Sequence, residues 1–265
     1  MSDTIEPADS DPAGPFPRIR SVGADAPWRW LKAGGADLRR AGASSLFYGA
    51  CFALAGWLMQ LVFAHAYALF AGLATGFLLL GPCLSMGLYD ISRQLERGET
   101  PRLGAGGIDW RSRIANIGVF AVVLAVILLV WARASMVIFA LFYHGGLPTF
   151  ADVVRAVFGF EQPVFALIYF AVGGLFALLV FAISVVAVPI MLDRNTDAVT
   201  AVIASLGACG RNPGPLLLWA GCIAALTALG FATLFLGLIV VTPLIGHASW
   251  HAYRELVEPA AGEAN

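Results

Sequence analysis

Long apolar runs divided by short arginine-rich segments set the pattern of the chain. A hydrocarbon core about 30 Å thick asks for roughly 20 apolar residues per crossing helix. Six stretches meet that length: Ser45 to Ala64, Ala66 to Tyr89, Ile114 to Tyr143, Val164 to Leu192, Pro215 to Phe235, and Leu236 to about Trp250. The last two form one apolar run too long for a single crossing, and it divides near Leu236-Gly237. The pattern predicts an all-α, polytopic membrane protein with six transmembrane helices in three hairpins, at about 45–90, 114–192 and 215–251, inside a transmembrane domain covering 27–257. Residues 1–26, acidic and rich in proline, read as a disordered tail, and 258–265 as a second, short one.

Between the runs lie segments with a helical apolar stripe. In "HGGLPTFADVVRAVFGFEQP", Phe150, Val153, Val154, Val157 and Phe158 share one face, which predicts a helix in the outer interface with Asp152 and Arg155 toward the headgroups. In "PWRWLKAGGADLRRAGA", Trp28 and Trp30 are placed to anchor at headgroup level, with Arg29, Lys32, Arg39 and Arg40 against anionic lipid. In "NTDAVTAVIASLGACGRNPG", Val199, Val202, Ile203 and Leu206 form a third such stripe. Both of these precede a hairpin, so amphipathic interfacial helices are expected on both surfaces.

Charge fixes the expected orientation. Of 16 lysines and arginines, all but Arg133 and Arg155 fall in segments on one side of the six runs. By the positive-inside rule both termini are expected in the cytoplasm. The composition, 59% hydrophobic and 12% charged, departs from the roughly 25% charged residues of soluble domains and supports the membrane reading. No basic face with interleaved aromatics appears outside the membrane borders, so nucleic acid is not an expected partner. The start lacks a basic region followed by an apolar one and is not expected to be a cleavable signal peptide. Cys51, Cys83, Cys209 and Cys222 show no metal-ligand spacing and read as small apolar residues.

Prolines and charges at the ends of the returning helices supply the candidate chemistry. Pro82 leaves the carbonyl of Leu78 without its helical donor and bends the second run. The segment after it, "PCLSMGLYDISRQL" (82–95), lies without a gap over "PLIGHASWHAYREL" (243–256), matching Pro82 with Pro243, Arg93 with Arg254 and Leu95 with Leu256, with Tyr89 opposite Trp250. The middle hairpin ends in "VPIMLDR", with Pro189 four residues before Asp193 and Arg194. This suggests a repeated hairpin, and three proline kinks at similar depth would open a shared cavity toward the cytoplasm. Tyr89 is expected at headgroup level, with Arg93 able to pair with Asp90 or Glu96.

Further candidates stand apart. Arg133 lies inside the third run, where an arginine costs about 2.5–3.5 kcal/mol on insertion scales. Either the helix ends near Trp131 and Arg133 snorkels outward, or the side chain is buried against a partner. His247 and His251, at i and i+4, share a face of the sixth helix, the spacing of a metal pair or a proton relay, although no glutamate or third histidine accompanies them. His65 and His144 fall at the outer ends of spans. Gly72, Gly76, Gly81, Gly173 and Gly174 read as packing faces, for a compact bundle or a dimer seam.

The stretches "SSLFYGACFALAGW", "FLLLGPCLSMGLYDISRQLERGETP" and "VPIMLDRNTDAVTAVIAS" resemble the bacterial integral membrane proteins grouped as domain of unknown function 2189, over about Trp30 to Leu256. The resemblance implies a bacterial inner-membrane location and no established activity. Some members carry a cytochrome oxidase label, but an oxidase core needs about six histidines and this chain has four. No hydrolase triad with a nucleophile elbow, zinc-protease motif or phosphate-binding loop is found, so an enzyme is not expected, nor a metal or other cofactor. The leading expectation is a membrane protein that binds or transports a small or lipid-like molecule in a cytoplasm-facing cavity, through Pro82, Tyr89, Arg93, Pro189, Asp193, Arg194, Pro243 and Arg254. An accessory subunit of a membrane complex, for instance a respiratory one, is the alternative, and a haem or redox enzyme through His247 and His251 the third. The partners expected are membrane lipids, with a second copy or another membrane subunit at the glycine faces.

Overall fold

The computed structural model describes residues 17–65, 84–103, 110–142, 163–194 and 196–259, with the backbone alone at 62–65 and 110–114. The described chain is helical: α1 (Ala26–Ala41), α2 (Ala43–His65), α3 (84–96), α4 (Trp110–Phe142), α5 (Pro163–Ser184), α6 (Ala187–Arg194), α7 (Ala198–Arg211), α8 (Pro213–Ala232) and α9 (Leu238–Leu256). Four stretches among the described residues are long and apolar enough to cross a membrane: Ala43–Leu61, Ala115–Phe142, Pro163–Arg194 and Pro213–Ala232. Of the second expected span, residues 66–83 lie outside the described residues, and so do Pro82, Gly72, Gly76, Gly81, His144 and the outer interfacial stretch with Asp152 and Arg155. The sixth expected span falls on α9, which is not one of these four; its second half carries His247, Ser249, His251 and Arg254.

Two pairs of the expected crossing helices pack against each other. The first consists of α4 and α5, which run side by side through rings that meet edge-on or tilted: Trp131 with Tyr169 and Phe176, and Phe139 with Phe165. The other is the pair α8 and α9, joined by residues 233–237. That turn is tight enough to put Leu234 and Phe235 in the left-handed region, at φ 54° and 67°. The conformation costs a non-glycine residue of order 1–3 kcal/mol. It is held by the Trp57 indole, which donates to the Leu234 carbonyl at 2.6 Å, and by the Thr233 hydroxyl, which accepts from the Gly237 N–H at 2.7 Å.

Helix α9 is the hub. It packs against α1 and α2, the first two helices of the described chain. Proline-led α1 ends at Gly42, whose φ of 52° turns the chain directly into α2. The buried residues Trp30, Gly34, Asp37 and Ala41 of α1 lie at i, i+4, i+7 and i+11, a single face. A Cβ on Gly34 would come within 2.6 Å of the Ala248 backbone nitrogen, so only glycine allows this approach. The approach of α2 is closer still: a Cβ on Gly49 would stand 2.1 Å from the Ile239 carbonyl oxygen. Ile239 is four residues before Pro243, which lacks the N–H that would reach that carbonyl. The Gly49 backbone therefore sits against a helix carbonyl that proline has left free.

A second proline breaks its helix outright. Pro189 follows a two-residue interruption at 185–186 that separates α5 from α6. The Ser205 hydroxyl of α7 closes the gap, donating to the Ala182 carbonyl at 2.7 Å and accepting from the Val186 N–H at 3.4 Å. Apolar surroundings tolerate a broken helix where a neighbouring side chain satisfies the freed groups. Helix α7, capped by Asp197 on the Val199 and Thr200 amides, buries Ala198, Ala201, Ala204 and Ala208 and turns Val199, Ile203 and Leu206 outward. Of the expected stripe, Val202 packs instead against the buried core, and the other three bulky residues face the surroundings.

At the arginine-rich end the chain termini close on each other. The Arg20 amide donates to the Leu256 carbonyl at 2.8 Å, the Glu258 amide to the Arg18 carbonyl at 3.0 Å, and Ile19 and Val257 form an isolated antiparallel bridge. Asn212 fastens this clasp to the start of α8, accepting from the Val22 amide at 2.8 Å and donating to the Arg20 carbonyl at 2.9 Å. Residues 17–25, expected in the disordered tail, are therefore ordered. Trp30 corrects a further expectation: instead of anchoring at headgroup level it is buried edge-on against Trp219 and donates to Glu255 at 2.7 Å.

Candidate functional site

One face of α9 carries His247 and His251, and both are engaged from outside the helix. The fully buried His247 stands between two serines: Ser45, in the first turn of α2, reaches Nε2 at 2.8 Å, and Ser92 of α3 reaches Nδ1 at 2.7 Å. The Ser92 hydroxyl is also 2.9 Å from Oδ2 of Asp37 on the buried face of α1. The same Oδ2 lies 2.8 Å from Nε2 of His251. Four helices thus contribute to one chain, Ser45–His247–Ser92–Asp37–His251.

The chemistry of these groups gives the chain a direction. An ionised aspartate only accepts, so the Ser92 hydroxyl donates to Asp37 and its oxygen accepts from Nδ1–H of His247. His247, neutral with its proton on Nδ1, then accepts the Ser45 hydroxyl at Nε2, and every link is satisfied once. Histidine tautomers are assigned from such networks. His251 completes the set by donating Nε2–H to Asp37, and with a side chain 23% exposed it is the end nearest the surroundings. Burial alone would raise the Asp37 carboxyl, but the hydrogen bonds from His251 and Ser92 and the nearby histidine charge outweigh it, holding the group below the usual carboxylate range.

Immediately beyond, the ends of three helices meet. Asp193 of α6 accepts from the Tyr253 hydroxyl at 2.6 Å and lies 3.5 Å from Arg254, which lies equally close to Glu96 at the end of α3. Arg194 donates to the Tyr253 oxygen at 3.2 Å and to the Glu258 carbonyl. Burial, with the Asp193 charge beside it, pushes the Tyr253 hydroxyl well above the ordinary phenol range, so it stays a donor. Arg93 and Asp90, both buried, pair at 3.0 Å. Gln94 bonds to Asp90 at 2.9 Å and clamps both backbone groups of Arg102.

The candidates read from sequence fall into three groups. His247, His251, Asp193, Arg194, Arg254 and Arg93 all lie in this polar region. Tyr89, half-buried, stacks on Trp250, the residue aligned with it in the sequence comparison of 82–95 with 243–256, at a centroid distance of 6.4 Å. Pro189 and Pro243 are buried, in α6 and α9, and Pro82 lies outside the described residues. Arg133 is exposed on α4, which continues past Trp131 to Phe142. Gly173 packs against the Trp131 ring, whereas Gly174 faces open space.

Sequence reasoning missed Asp37, Ser45, Ser92 and Tyr253. For Asp37 the signal was available: it is the one acid in a basic helix, on the face shared by Trp30, Gly34 and Ala41. Both nitrogens of His247 are taken by serines, so in this arrangement it links a hydrogen-bonded chain and offers no free lone pair to a metal. Among the described residues no group of three or more His, Cys, Asp or Glu is placed to hold a metal ion.

Residues 69–193 match the model of a family described as predicted integral membrane protein (DUF2189). The match covers α3, α4, α5 and almost all of α6, while the two histidines and Asp37 lie outside it. No curated protein and no solved structure matches the chain.

Proposed function

We propose that this integral membrane protein, with both termini in the cytoplasm of a bacterial cell, binds or moves a small or lipid-like molecule at its cytoplasmic side and exchanges a proton as it does so. The observation that carries the reading is the unbroken chain Ser45–His247–Ser92–Asp37–His251. Ionisable groups buried among membrane helices are expensive, and they recur where protons or ions are handled. The chain can also run the other way: with the His247 proton on Nε2 and donated to Ser45, Nδ1 becomes an acceptor and the Ser92 hydroxyl turns to it. A proton taken up at Asp37 then passes through Ser92 to leave Asp37 ionised and His247 an imidazolium. The neighbouring Asp193, Tyr253, Arg254 and Glu96 join the exits of α3, α6 and α9, and a shift of any of these helices would be felt at both clusters.

The test is proton movement. The protein is reconstituted in liposomes holding a pH-sensitive dye, and an imposed pH difference is allowed to relax. Vesicles with wild-type protein are expected to equilibrate faster than those with Asp37→Asn or His247→Gln of equal protein content. Equal rates in all three, with rates matching empty vesicles, would overturn the proton-handling reading and leave the chain of bonds a structural cross-link.

A further inference from the structure

We infer that the outward face of α1 is a docking surface for anionic phospholipid headgroups in the leaflet at the arginine-rich end. At 100° per residue Trp28, Lys32 and Arg39 fall within about 40° of one another, with Arg40 on their flank. All four are exposed, Trp28 at 63%. The buried face, Trp30, Gly34, Asp37 and Ala41, points the opposite way and is fixed by the bonds to Glu255 and His251, so the helix cannot roll its cations inward.

Charge identifies the occupant. Arg29 is neutralised within the protein by Asp25 and Glu255. Lys32, Arg39 and Arg40 have no carboxylate at ion-pair distance among the described residues, and Arg39 turns only to the Gly35 carbonyl at 3.1 Å. The only acid in α1 is Asp37, on the far face. The surface is therefore a stripe of three unneutralised cations and one indole, and Ala43, where the first crossing begins, is only two residues beyond α1. A phosphate headgroup at that level meets the cations while the Trp28 ring enters the boundary between headgroups and chains. The sequence placed both tryptophans in this role; the fold assigns it to Trp28 alone and removes Arg29 from the cation set.

The proposal is independent of proton handling, and the experiment keeps the two apart. Full-length protein in micelles holding equal amounts of phosphatidylglycerol and phosphatidylcholine is released into the gas phase, and the lipids still bound are counted by native mass spectrometry. Wild-type protein is expected to retain phosphatidylglycerol in clear excess. A surface cation is worth about fivefold in association with an anionic leaflet, so Lys32→Gln/Arg39→Gln/Arg40→Gln is expected to lower the ratio at least tenfold. Helical content and elution volume show that the variant is folded. Asp37→Asn, on the opposite face, is expected to keep the wild-type ratio whatever it does to proton movement. The proposal is overturned if the triple variant keeps the ratio, if Arg97→Gln, an exposed arginine elsewhere at the same end, lowers it as far, or if the triple variant changes the oligomeric state and not the lipid ratio.

Discussion

Asp37 concentrates the chemistry of the site in one carboxylate. Its pKa is lowered on folding, so the stability it contributes is present above the unfolded value of about 3.9 and is lost as pH falls through the lower, folded one. Melting of the purified protein should thus shift downward below about pH 4, and Asp37→Asn should flatten that part of the profile. An unchanged profile would show that the carboxylate is not the accepting end of the chain. Arg133 is expected to behave in the opposite manner. Counted from Ala115 it stands 18 residues along the span, about 27 Å, close to the far edge of a hydrocarbon core about 30 Å thick. Its side chain is exposed on α4, so Arg133→Gln should change stability by no more than an ordinary surface substitution does, about 0.5 kcal/mol or less, read from thermal unfolding. The two histidines were legible because i, i+4 spacing is visible within one helix. Asp37 left a trace as the one acid of a basic helix, but its role did not, because its partner His251 is 214 residues away and the cations around it gave α1 the look of a purely interfacial segment.

At the scale of elements, sequence pattern located the helices well and their contacts poorly. The division of the last apolar run at Leu236-Gly237 falls inside the observed turn at 233–237, since a run too long for one crossing must fold back near its middle. The role of Pro243 could not be read in the same way. Its consequence appears on α2, where Gly49 occupies the space beside the Ile239 carbonyl. Gly49→Ala is predicted to push α2 off α9, costing about 1–3 kcal/mol by overpacking and stretching the Ser45–His247 bond, which is near the same contact. Denaturant titration in mild detergent measures the first effect. The glycine pairs picked from spacing were a weaker guide than this single close approach, because spacing shows which glycines share a face and not what that face meets.

For the whole molecule, Arg254 between Glu96 and Asp193 ties together the ends of α3, α6 and α9. These ion pairs are partly solvated and separated by 3.5 Å, so Arg254→Gln should cost little stability, about 1 kcal/mol or less, by thermal unfolding. Because α1, α2 and α3 supply Asp37, Ser45 and Ser92 while α9 supplies both histidines, the bonds to the histidines join residues 155 to 214 positions apart. Biosynthesis must therefore release the first third of the protein into the bilayer with an aspartate that has no histidine beside it, and hold it there until the last helix arrives. A buried carboxylate without its partner costs several kcal/mol. Nascent α1 consequently has reason to stay away from its final seat until translation is nearly over. Chains stopped at Ala232 should expose the α1–α2 junction to protease in membranes, whereas chains extended through Val257 should protect it, making residues 233–257 the step that commits the molecule to its native form.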